Sequence, residues 1–235
     1  MIKILLTLAG LALLVPTTAG ARESKRARPS SAPRPAEREI IPSAAAARVV
    51  DWVAASQDNH ALPYAIIDKS NASLFLFDGK GKPLGAVPVL SGIAEGDDAS
   101  PGIGSKNLAE IGPAEKTTPA GRFLAKFGLA AGKERILWVD YATSVALHPI
   151  PMGASKKERR RARMLSLTSE DNRITFGCIN VPDAFYGKSV RPRFQKKGGY
   201  VYVLPDTKPL ESLFPGVLVR QAAAAPVPVT RANRR

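Results

Sequence analysis

After Pro63 the sequence reads YAIIDKSNASLFLFDGKGKPLGAVPVLSG, which contains three short runs rich in strand-forming residues. Lys-Ser-Asn and Asp-Gly-Lys-Gly separate these runs, and segments of this composition favour turns. The pattern predicts a meander of β-strands and hairpins. No other part of the chain limits the fold as strongly.

The rest of the chain adds one helix and several more strands. Residues 44–57 place Val49, Val50 and Val53 on one apolar helical stripe, with Ser43 as the N-cap. Later runs such as ILWVDY, SVALHPI, NRIT and YVYVLP again favour strands. An apolar fraction of 45% is enough for one core. We therefore expect a mainly β domain, a sandwich or barrel-like pair of sheets with a few short helices.

The N-terminal sequence predicts export. Lys3 precedes an apolar run from Ile4 to Val15, and Ala19-Gly20-Ala21 suits signal peptidase. That run is about half the roughly 20 residues that cross a bilayer, and no later segment qualifies, so we expect no transmembrane anchor and a location in the periplasm or cell envelope. The predicted organisation is a signal peptide over 1–21, a flexible basic Pro-rich linker over 22–43, an N-terminal helix over 44–60, a main domain over 61–206 and a largely disordered C-terminal extension over 207–235.

The chain is strongly basic, with a formal net charge of +14. Part of this charge lies in KKERRRAR, from Lys156 to Arg163. An exported protein meets little nucleic acid, so anionic envelope polymers or lipid head groups are the expected partners of such a cluster. The alternative is a solvated, partly helical insertion without a partner.

Cys178 is the only cysteine, so it cannot form an intrachain disulfide. An unpaired cysteine in an oxidising compartment indicates an intermolecular bridge or a reactive thiol, and the alternative is a buried, inert thiol. Asn180 is a suitable helix cap and Pro182 a suitable early helical residue, which predicts that Cys178 lies just before a helix N-terminus. The partial positive charge there would lower the pKa of the thiol, and Gly177 permits a tight turn whose N–H groups can face an oxyanion.

His148 ends the strand SVALHPI, in which Val145 and Leu147 share one face and His148 lies on the other. A histidine facing away from the core is available for chemistry; the alternatives are a packed strand histidine and a metal ligand. The other histidine, His60, lies in a loop before a strand, and no spacing of His, Cys and carboxylates supports zinc. We therefore predict no metal site and no cofactor.

The segment from His148 to Asn180 resembles the catalytic signature of the L,D-transpeptidase (YkuD-type) family, a histidine, a spacer and Ser/Thr-His-Gly-Cys-hydrophobic-Asn. Thr175, Gly177 and Cys178 match that pattern, as do the two residues that follow. The resemblance runs from about Tyr64 to Pro205 and includes the TTPAGRF segment and the closing YVYVLP. Phe176 departs from it, since the family has histidine there, as does Pro149, and the spacer is longer than usual.

The resemblance implies an L,D-transpeptidase-like fold and a peptidoglycan enzyme that transfers an acyl group from a tetrapeptide stem to an amine through a cysteine thioester. Cys178 would be the nucleophile and His148 the general acid and base. The remaining expected roles are oxyanion binding at Gly177, support of the turn by Thr175 and Asn180, and substrate contacts by Phe176 and Arg173. The alternatives are an L,D-carboxypeptidase or amidase that uses the same residues, and a non-catalytic envelope-binding module.

Overall fold

A computed structural model describes residues 40–130 and 134–218. The predicted signal peptide, residues 22–39 of the predicted linker and residues 219–235 of the predicted C-terminal extension lie outside these ranges. The strands are β1 (Tyr64–Asp68), β2 (Ser73–Phe77), β3 (Pro83–Pro88), β4 (Ser91–Gly92), β5 (Gly121–Leu129), β6 (Arg135–Asp140), β7 (Val145–Pro149), β8 (Arg173–Thr175), β9 (Ile179–Val181) and β10 (Gly199–Val203). The α-helices are α1 (Ala44–Ser56), α2 (Arg160–Met164), α3 (Asp183–Phe185), α4 (Arg191–Phe194) and α5 (Leu210–Leu213).

The main sheet has eight strands in the order β3-β2-β1-β10-β5-β6-β7-β9. Strands β1 to β3 form the antiparallel meander that the sequence after Pro63 predicts, whereas β1 with β10 and β7 with β9 pair in parallel. The two edges of the sheet meet where Leu90, just after β3, exchanges two backbone hydrogen bonds of 3.0 Å with Asn180 in β9. The predicted mainly β class, with a barrel-like sheet and short helices, is confirmed.

Apolar side chains fill both faces of β1, so all five of its residues are buried. Ala65 and Ile67 point to the interior core between the strands, while Tyr64 and Ile66 pack beneath the helices at the outer face. The predicted cap is present at the start of α1, because the Ser43 side chain accepts a hydrogen bond from the Ala46 N–H.

Residues 207–218 belong to the predicted C-terminal extension, and they pack on α1. Leu210, Phe214 and Val217 are buried at helical spacing, and the Phe214 ring lies 6.1 Å from that of Trp52. Arg48 of α1 forms an ion pair with Glu211. These contacts explain why this part of the chain is structured.

A buried ammonium group joins three segments at one end of the sheet. Lys69 Nζ lies 3.1 Å from carboxylate oxygens of both Asp97 and Asp206, and its side chain is fully buried. It also donates to the carbonyl oxygens of Gly96 and Thr118, at 2.6 and 2.9 Å. Lys69, which directly follows β1, thereby connects the long loop before β5 with the segment after β10.

The carboxylate of Asp97 is held charged in this cluster. Burial acts to raise its pKa, but the backbone N–H groups of Asp206, Lys208 and Thr207, with the Thr207 hydroxyl, outweigh it and hold the pKa below the ordinary range. The ammonium and its carboxylates are therefore mutually dependent, since each would be costly to bury alone.

We expect Lys69→Met to lower the free energy of unfolding by about 3–5 kcal/mol, because it leaves buried carboxylates without their cation. Urea denaturation followed by circular dichroism measures the change. Lys196 is exposed, and Lys196→Met should stay within about 0.5 kcal/mol of the wild type. A loss below about 1 kcal/mol for Lys69→Met would contradict the role assigned to this cluster.

Candidate active site

Cys178 lies in a turn between β8 and β9, and hydrogen bonds to the Thr175 side chain stabilise this turn. The Thr175 hydroxyl donates to the Cys178 carbonyl at 2.6 Å and accepts from the Gly177 N–H at 3.1 Å. Gly177 has a φ of +125°, and a Cβ there would lie 2.6 Å from the Thr117 carbonyl oxygen. Only glycine fits this position, because a side chain would meet both backbone strain and a direct clash.

A second threonine connects this turn to the loop before β5. The Thr118 hydroxyl donates to the Gly177 carbonyl and accepts from the Gly92 N–H, both at 2.8 Å. Thr118 is 1% exposed, so these bonds are shielded from water. The TTPAGRF segment therefore supports the cysteine turn, a role for Thr118 that sequence reasoning missed because the two segments are far apart in the chain.

The helix predicted after Cys178 is present, but it begins later than expected. Residues 179–181 form β9, and α3 begins only at Asp183, with Pro182 as its cap. Asn180 is thus a strand residue rather than a helix cap, since pairing with β7 and with Leu90 recruits this segment into the sheet. A three-residue strand therefore separates Cys178 from Pro182, and the thiol does not lie directly before the helix.

The Cys178 thiol is half-buried and donates to the Ser144 carbonyl, with Sγ 3.7 Å from that oxygen. Burial raises its pKa, while the Ala146 backbone N–H and the charge of Arg160 act in the opposite direction with smaller effect. The expectation of a lowered thiol pKa is therefore reversed. At neutral pH the thiol is protonated and needs a base before it can attack.

His148 lies on the adjacent strand, in register with Asn180. Its Nδ1 is 2.7 Å from the Pro149 carbonyl oxygen, and its Nε2 is 3.5 Å from the Asn180 amide nitrogen. Burial lowers the pKa of His148, which favours the neutral imidazole that a general base requires. Within residues 40–130 and 134–218, no hydrogen bond joins the Cys178 thiol to the imidazole.

Asn180 connects the histidine to the basic insertion. Its side chain is 1% exposed, and its Oδ1 accepts from Arg160 Nη1 at 2.9 Å. Arg160 belongs to the cluster from Lys156 to Arg163, which the sequence treated as one charged surface. Sequence reasoning missed this contact because nothing in a segment with six arginines and lysines distinguishes the one that turns inward.

Arg173, one of the two residues predicted to contact substrate, binds a carboxylate of this chain instead. Arg173 forms an ion pair with Asp206 at 2.8 Å and so joins the buried Lys69 cluster. The Phe176 ring remains beside the cysteine turn, with Lys116 Nζ 3.8 Å from its centroid. Lys116 is half-buried and has no carboxylate within ion-pair distance among the described residues.

The helices within residues 40–130 and 134–218 are all too short or too polar to span a membrane. No group of three or more His, Cys, Asp or Glu side chains in those ranges is arranged to hold a metal ion.

We expect Gly177→Ala to lower the free energy of unfolding by on the order of 1–3 kcal/mol, because the new Cβ strains the backbone and meets the Thr117 carbonyl. Gly153 has nothing within 4 Å of a built Cβ, so Gly153→Ala should change stability by less than about 0.5 kcal/mol. Urea unfolding compares the two variants, and equal effects would refute the packing described for Gly177.

We expect the Cys178 thiol to titrate at higher pH in the folded protein than in the unfolded chain, because burial raises its pKa. Iodoacetamide alkylation between pH 6 and 11, with and without urea, measures both values on the single thiol, and Cys178→Ala supplies the blank. A folded-state pKa at or below the unfolded one would show that the thiol is activated instead.

No protein-family model matches the chain, and no curated protein matches it. Among solved structures it is similar to an L,D-transpeptidase from Xylanimonas cellulosilytica, with 16% sequence identity and a TM-score of 0.36 over 60% of each chain. It is also similar to the helical cell shape determining protein Pgp2 from Campylobacter jejuni, with 13% identity and a TM-score of 0.42 over 71% of this chain and 58% of that one. The chain thus spans about 60% of the length of both structures. The solved structures similar to this chain include a member of the family whose signature its sequence resembles.

Proposed function

We propose that this chain is a cysteine-dependent L,D-transpeptidase that acts on peptidoglycan stem peptides in the cell envelope. The observation that carries the proposal is the parallel pairing of β7 with β9, which brings His148 beside the strand that follows the only thiol. This pairing places His148 opposite Asn180, two residues after Cys178, although the basic insertion separates them in the chain.

The protonation states support general base catalysis. Burial raises the pKa of the Cys178 thiol and lowers the pKa of the His148 imidazole, so both groups are neutral near pH 7. His148 Nε2 takes the thiol proton as Sγ attacks the carbonyl carbon of the stem-peptide bond. The tetrahedral intermediate collapses, the C–N bond breaks, and the imidazolium returns the proton to the leaving amine.

The second half-reaction reverses these proton transfers. An acceptor amine attacks the thioester, His148 removes its extra proton, and the Cys178 sulfur leaves and recovers that proton. Gly177 N–H donates to Thr175 Oγ1 at 3.1 Å, so Cys178 N–H is the better candidate for oxyanion stabilisation of the two expected donors.

A non-catalytic envelope-binding module is the second candidate function. It is favoured by the thiol proton, which is directed at the Ser144 carbonyl rather than at His148. In either case the exposed side chains of Lys156 and Arg159 offer positive charge to an anionic envelope polymer.

Acylation by a carbapenem, followed by intact-protein mass spectrometry, tests the enzyme proposal. We expect one covalent adduct on the wild type and none on Cys178→Ala. His148→Gln should slow acylation by roughly 10²–10⁴-fold, the usual contribution of a general base. Lys157→Ala, an exposed change, should leave the rate unaltered. Absence of an adduct on the wild type, or its presence on Cys178→Ala, would favour the binding module.

Muropeptide products then separate transfer from hydrolysis. We expect incubation with tetrapeptide stems and an amine acceptor to yield a joined product with loss of the terminal D-amino acid. A shortened stem without joining would identify water as the acceptor and make the protein an L,D-carboxypeptidase.

A further inference from the structure

Arg160 differs from its neighbours in the basic cluster because it points into the site. Its side chain is 12% exposed, and its Nε lies 2.7 Å from a Glu158 carboxylate oxygen while Nη1 lies 2.9 Å from Asn180 Oδ1. Lys157 and Arg161 on the same segment are exposed. A cation held at two points and mostly shielded from water is placed for a specific contact rather than for solvation.

The contact with Arg160 determines which way the Asn180 amide faces. A guanidinium group only donates hydrogen bonds, so the amide oxygen must face it. The amide nitrogen then faces His148 Nε2, at 3.5 Å. Because Asn180 is 1% exposed, water does not compete to turn the amide around.

The amide orientation in turn matches one tautomer of His148. Nδ1 lies 2.7 Å from the Pro149 carbonyl oxygen, which only accepts, so Nδ1 carries the proton. Nε2 then presents a lone pair, and the Asn180 N–H is a suitable but distant donor to it. A flipped amide would present its oxygen to Nε2 and favour a proton on that nitrogen.

We infer that Arg160 is a positioning residue that, through Asn180, holds His148 in the tautomer whose Nε2 carries a lone pair, the atom proposed to accept the Cys178 proton. The inference rests on the proposed role of His148 as the base. Electrostatic effects also favour the neutral imidazole. Burial has the largest effect on the pKa of His148 and lowers it, and the charge of Arg160 lowers it further. The hydrogen bond to the Pro149 carbonyl and the charge of Glu134 act in the opposite direction. The Arg160 charge also favours the Cys178 thiolate.

The first measurement reads the tautomer and needs no substrate. The chain has two histidines, His60 and His148, so ¹⁵N-labelled imidazole spectra resolve both. We expect His148 in the wild type to carry its proton on Nδ1, and Arg160→Met to shift the population toward the Nε2–H form or toward the imidazolium at a given pH. Arg161→Met is the matched control, and its His148 spectrum should equal that of the wild type, with His60 as the internal reference.

The second measurement is the pH dependence of carbapenem acylation. We expect Arg160→Met to slow acylation about tenfold, a fraction of the roughly 10²–10⁴-fold that a general base supplies, and to move the basic limb of the profile to higher pH. Arg160→Lys, which keeps the charge and a donor, should recover most of the rate. In an Asn180→Ala background, Arg160→Met should cost little more, since both changes break the same connection.

The two measurements distinguish the failure of each proposal. If the wild type is not acylated, the proposed function fails while the tautomer spectra still test Arg160. If the wild type is acylated but Arg160→Met matches Arg161→Met in spectrum and rate, the inference about Arg160 is wrong. Should Arg160→Met not fold, Glu158→Gln takes its place, because it releases the other end of the guanidinium; it should produce a smaller shift toward the Nε2–H tautomer, and no shift would overturn the inference.

Discussion

The ammonium group of Lys69 is the contact on which the geometry of the site depends. It binds two carboxylates and two carbonyl oxygens in a place that water does not reach. One of those carbonyls belongs to Thr118, whose hydroxyl holds the Gly177 peptide. The cysteine turn is therefore built on a loop that has little regular structure of its own, and a buried ionic cluster gives that loop the rigidity that a strand or helix would otherwise supply.

Burial governs the chemistry as well as the architecture. It disfavours the charged form of both the Cys178 thiol and the His148 imidazole, so the pair rests in its neutral form. An ion pair preformed in this half-buried place would have to overcome two desolvation costs. Arg160 provides a single fixed positive charge that favours the thiolate when it forms, without requiring the imidazole to be charged beforehand.

The strands were predictable from sequence because their residues alternate or cluster locally, as in β1 to β3. The proposed nucleophile and base were chosen from residue type and order, and their roles stay predictions. The start of the helix after Cys178 was placed too early because residues 179–181 were read in isolation, whereas their partners Leu90 and His148 are distant in sequence. Lys69, Thr118 and Arg160 escaped prediction for the same reason. Each matters through contacts with residues far away in the chain, and local composition carries no sign of such contacts.

Parallel strands cannot be joined by a tight turn, so the chain must cross over between β7 and β9 whatever else it does. The register of His148 against Asn180 is set by the ladder between these strands, and the length of the crossover has little bearing on it. Doubling such a connection costs only about 0.6 kcal/mol in loop closure. The crossover is thus a region where sequence can be added without disturbing that register, and here Arg160 of the added sequence folds back to contact Asn180.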